Sequence, residues 1–115
     1  MQIQVNTDHN IDGSELLSDH VKTVVEHVLG HASDHITRVE VHLNDESSDK
    51  KHTGEHMRCM VETRLQGRQP VAVTHHAETL HQAIDGAVDK SHRLIVNTLD
   101  RQRDHRVKED VKFED

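Results

Sequence analysis

Lys90, Arg93, Arg101 and Arg103 stand close together late in the chain, where residues 90–106 hold five bases against two acids. Lys90, Arg93, Asn97 and Arg101 recur at i, i+3, i+7 and i+11, which makes one stripe of a helix. Such a row suits a run of phosphates: each Arg offers a planar fork of donors and each Lys a compact point charge. The bland alternative is a solvated helix face, because surface helices are routinely charged. Asp85 and Asp89 lie one turn apart and could imitate a catalytic carboxylate pair. Beside Lys90 and Arg93 they read as ion-pair partners instead.

Histidine is abundant, with 13 in 115 residues. His52 with His56, His75-His76 with His81, and His81 with Asp85 could each bring metal ligands together. Zinc ordinarily takes three or four protein ligands, so no metal site and no cofactor are expected from these short clusters. Cys59 is the only cysteine, which rules out an intrachain disulfide and a zinc site of several cysteines. Set among Met57, Arg58, Met60 and Val61, it reads as a small core residue and not as a nucleophile. Ser14 reads as a helix cap. The glycines at 13, 30, 54, 67 and 86 are isolated, so no phosphate-cradling loop is present. No catalytic residues and no small-molecule substrate are expected.

The chain's length fits one domain. Hydrophobic residues make up 32% and aromatics 1%, so the core must be aliphatic. Net charge is -7 and unevenly placed: residues 1–49 hold two bases against ten acids, while residues 50–115 hold twelve bases against eleven acids. Overall acidity argues against a general nucleic-acid sponge but leaves room for one local basic stripe. No basic region followed by an apolar stretch opens the sequence, and no apolar run approaches the ~20 residues of a membrane span. A cytosolic protein without a membrane partner is expected.

These residues must be positioned by strands and helices that the periodicity marks out. Gln2–Thr7 alternates, with Ile3 and Val5 on one face. After Asp12-Gly13-Ser14, apolar residues recur at helical spacing from Leu17 to Leu29, and Gly30 is a candidate helix end. Alternation returns over Ile36–Asn44, Glu55–Leu65 and Val71–His75. The polar stretch Asp45–Gly54 reads as a mobile loop and 66–70 as a hairpin loop with the only proline, Pro70. Thr79–His105 is the longest helix, with Leu80, Ile84, Ala87, Val88, Ser91, Ile95, Thr98 and Leu99 on its apolar side. The fold class is therefore α+β, ordered β-α-β-β-β-α, with one wet sheet face and two helices packed on the other. Residues 1–105 form a single domain, and 106–115 read as a charged, flexible tail.

The stretch Ala83-Ile84-Asp85-Gly86-Ala87-Val88-Asp89-Lys90, followed by Arg93, resembles the second helix of the ribosome hibernation-promoting factors, also called the sigma-54 modulation or ribosome-associated inhibitor family. Met1-Gln2-Ile3-Gln4-Val5 resembles that family's first strand, and Asp34-His35-Ile36-Thr37-Arg38-Val39-Glu40-Val41 resembles the approach to its second. The resemblance covers residues 1–105. It implies a four-stranded mixed sheet and a cytosolic protein that binds the small ribosomal subunit in the channel of messenger and transfer RNA, silencing translation under stress. It also implies that Lys90, Arg93, Arg101 and Arg103 contact ribosomal RNA.

Departures are visible in the same helix. Asn97 and Leu99 stand where relatives are usually lysine-rich, and His81 stands where they often carry Tyr. No counterpart of the dimerisation domain of long members is present, so pairing of ribosomes by this chain alone is not expected. The competing expectation is a protein-interaction module of the same fold, which would meet its partner on the acidic first helix or the open sheet face.

Overall fold

The computed structural model describes residues 1–46 and 54–112, with side chains as far as residue 103. Most of the expected loop Asp45–Gly54, the side chains of the expected tail 106–115 and the lone aromatic Phe113 lie outside the described residues. The element order is β1 (Gln2–Thr7), α1 (Glu15–Leu29), a short 3-10 helix (Gly30–His35), β2 (Ile36–Asp45), β3 (Met57–Leu65), β4 (Val71–Ala77) and α2 (Leu80–Lys112).

The four strands form one sheet in the order β1-β2-β3-β4. β1 runs parallel to β2, so α1 is the crossover between them, while β2-β3 and β3-β4 are antiparallel. This is the mixed α+β sheet expected. Register decides the two faces. Val39, Val41 and Leu43 of β2 stand beside Thr63, Val61 and Cys59 of β3, and all six are buried. The alternate residues Arg38, Glu40, His42 and Asn44 stand beside Arg64, Glu62, Met60 and Arg58 on the open face.

Both helices close the apolar face with a single stripe each. Val21, Val25 and Leu29 of α1 and Ala83, Ile84, Ala87, Val88 and Ile95 of α2 are buried in one continuous core. Ser14 caps α1: its Oγ accepts from the Leu17 N–H at 3.2 Å. α1 ends before Gly30 as expected, but by tightening into the 3-10 helix and not by a left-handed turn; Gly30 has φ -60°. At the hairpin between β3 and β4, Gly67 takes φ +74°, which favours glycine, and the Arg68 N–H donates to the Leu65 carbonyl at 3.1 Å.

Cys59 is fully buried, and that burial pushes its thiol up to about 12, opposed by the nearby Arg58 charge. A thiol held protonated is a core residue and a poor nucleophile, as expected from its neighbours in sequence.

α2 is 33 residues long, or about 50 Å at the usual helical rise. Leu99 is the last of its described residues packed on the core. Asp100, Arg101, Gln102 and Arg103 are all exposed. Four successive exposed residues cover every side of a helix, so α2 projects into solvent beyond the sheet.

Candidate nucleic-acid interface

The expected basic residues divide between the two parts of α2. Lys90 and Arg93 lie on the portion that packs on the sheet, and both are exposed. Lys90 Nζ donates to the Thr74 carbonyl on the outer edge of β4 at 3.1 Å. An ammonium has three donors, so this bond leaves two for a ligand. The same amine borders a cleft of about 680 Å³ lined also by Glu55, His75, His76, Glu78 and Gln82. Arg93 Nη2 donates to Asp89 Oδ2 at 2.5 Å across one helical turn. That pair is largely exposed, so its carboxylate can give way to a phosphate at little cost.

Arg101 and Arg103 sit on the projecting part. Arg101 continues the stripe of Lys90, Arg93 and Asn97, and each of the four is exposed. Arg103 follows two residues later, which turns it about 200° around the helix axis. It lies off the stripe, where it pairs with Asp100 at 3.5 Å. One face of α2 therefore carries three of the four bases, and the fourth covers another side of the projecting turn.

Two further bases join them through the fold. Arg64 lies next to the end of β3 on the open face, opposite Arg38 in the register, and Arg68 follows in the hairpin loop; both line one shallow groove with Thr37. The Gln66 N–H donates to the His35 carbonyl at 2.8 Å, and His35 faces Leu99, Asp100, Gln102 and Arg103 across a second groove. The hairpin, the start of β2 and the projecting end of α2 thus share one pole of the molecule. Arg64, Arg68 and Arg103 lie there, with Asp100 beside Arg103. Arg38, beside Arg64 in the register, is paired with Glu40 at 2.7 Å.

The opposite pole is acidic and internally bonded. Asp8 Oδ2 accepts from the Asp45 N–H at 3.2 Å, and Asp45 Oδ1 meets His56 Nδ1 at 2.9 Å. Glu46 meets His76 at 3.1 Å and Arg58 at 3.9 Å. Glu15 opens α1 at this end, where a carboxylate suits the helix dipole. Among the described residues, acids and bases are thus unevenly placed between the two ends of the sheet.

The placing of Arg64 and Arg68 at one groove with Thr37 could not be read from the sequence, because Thr37 comes from another strand. No group of three or more His, Cys, Asp or Glu comes together among the described residues, and His52 lies outside them. No helix among them is long and apolar enough to cross a membrane.

The chain belongs to the sigma-54 modulation protein / S30EA ribosomal protein family, whose model matches residues 3–103. Among solved structures, the N-terminal domain of Protein Y from Thermus thermophilus is 22% identical, with a TM-score of 0.66, covering 83% of this chain and 96% of that one. A ribosomal subunit interface protein from Coxiella burnetii is 12% identical, with a TM-score of 0.68, covering 85% of this chain and 97% of that one. These likenesses bear on the fold. No curated protein matches. The ribosome-associated, translation-regulating family expected from the α2 motif is therefore the family of this chain.

Proposed function

We propose that this protein binds the small ribosomal subunit and represses translation by occupying the channel of messenger and transfer RNA. Binding of ribosomal RNA places it in the cytoplasm. The observation that carries the reading is the exposed stripe Lys90, Arg93 and Arg101 on α2 in a chain of this family. Structured RNA is recognised largely through phosphate, 2′-hydroxyl and shape, and such a stripe supplies the phosphate part. Residues 1–105 act as the binding domain; Arg103, Arg64 and Arg68 extend the cationic surface around the basic pole. No chemical step is required: occupancy alone blocks the channel.

Four to six phosphate contacts make the affinity fall steeply with salt. Co-sedimentation with isolated small subunits at low and at moderate salt tests the reading. Pelleting at one protein per subunit that weakens with salt supports it. If nothing pellets at low salt, a protein partner on the acidic surface becomes the better account.

A further inference from the structure

The two helices are joined by two histidine pairs, each made of residues 61 apart in sequence. His20 Nε2 of α1 faces His81 Nδ1 of α2 at 3.0 Å, with ring centroids 4.5 Å apart at 69°. His31 Nε2, just after α1, faces His92 Nε2 of α2 at 3.3 Å, with centroids 4.9 Å apart at 71°. In each pair the facing atoms are ring nitrogens, and one neutral imidazole can donate to the other. None of the four rings is buried.

The same geometry is half of a tetrahedral metal site. Zinc binds imidazole nitrogen at about 2.0–2.1 Å, so two nitrogens on one tetrahedral ion stand roughly 3.3–3.4 Å apart. The His31–His92 separation of 3.3 Å already has that value. The His20–His81 pair needs to open by a few tenths of an ångström, which the exposed His81 ring allows. We propose that these pairs are two clips for a divalent transition-metal ion of the zinc class, each ion bridging the α1 side of the fold to α2. Two imidazoles come from the protein in each clip, and water completes the coordination. The folded chain alone brings the paired nitrogens together, so metal binds the folded state in preference to the unfolded one and raises its stability.

The test uses the full chain with zinc chloride alone at pH 7.5. Isothermal titration is expected to find two zinc ions per chain, with a rise in Tm that EDTA reverses. His31→Gln is expected to remove one of the two ions, His20→Gln the other, and the double variant both, together with the rise in Tm. His9→Gln changes an exposed histidine outside the pairs and is expected to leave both ions in place. Two ions and the full rise in Tm in the His20→Gln/His31→Gln variant would overturn the proposal. Equal losses on His9→Gln would also overturn it, as would zinc-driven association of chains in sedimentation velocity in place of binding by single chains.

Discussion

The imidazole of His75 on β4 lies directly against the backbone of Gly86 on α2, so closely that a Cβ built on the glycine would overlap the ring at Cδ2, Nε2 and Cγ. Glycine within a helix ordinarily costs about 1 kcal/mol relative to alanine. Here it lets α2 approach the edge strand, and Lys90, one turn on, reaches the Thr74 carbonyl from that position. Gly86→Ala is expected to destabilise the fold by about 1–2 kcal/mol in denaturant unfolding, because overpacking outweighs the gain in helix propensity. In a His75→Ala background the same change is expected to be neutral or stabilising by up to about 1 kcal/mol. Equal costs in both backgrounds would place the strain elsewhere.

Cys59 gives a prediction about pH. The folded thiol is held near 12 against an ordinary value of 9.0, so at pH 8 its thiolate fraction is about a thousandfold lower than that of a free cysteine. Alkylation by iodoacetamide at pH 8 is expected to be undetectable over an hour for the folded protein and rapid in 6 M guanidinium. Between about pH 9 and 12 the unfolded chain gives up this proton while the folded chain keeps it, so this contribution to stability is lost as pH rises. Equilibrium unfolding across that range is expected to fall less steeply for Cys59→Ala than for the parent.

Arg64 and Arg68 are expected to act as long-range members of the RNA surface. Charge reversal of both to Glu should weaken small-subunit binding and lower the slope of log K against log salt by about 2. Both are exposed, so stability should move by no more than about 0.5 kcal/mol. An unchanged salt slope would restrict the interface to α2.

The outline of the fold was legible because each apolar residue reports its own face. Val39, Val41 and Leu43 alternate in sequence and are buried in space, and Ile84, Val88 and Ile95 do the same at helical spacing. The Ser14 cap was legible because a cap is local. What escaped depends on residues distant in sequence. His75 looked like one member of a local histidine cluster, yet its neighbour is a glycine on another element. His81 paired with His20 and not with His75, His76 or Asp85, because α1 and α2 lie side by side. Arg103, named by the family resemblance and not by the helical row, lies to another side of α2, where it pairs with Asp100. The register of β2 on β3 was needed to place Arg38 beside Arg64.

The most direct test of the central claim is co-sedimentation of Lys90→Glu/Arg93→Glu alongside the parent protein with small ribosomal subunits. Both residues are exposed, and their pairings with Thr74 and Asp89 contribute little to stability, so the variant is expected to fold with a circular dichroism spectrum like the parent's. The parent is expected to pellet at one copy per subunit in low salt and to be released at moderate salt, while the variant stays in the supernatant at both. A folded variant that pellets as the parent does would contradict the role given to the α2 stripe.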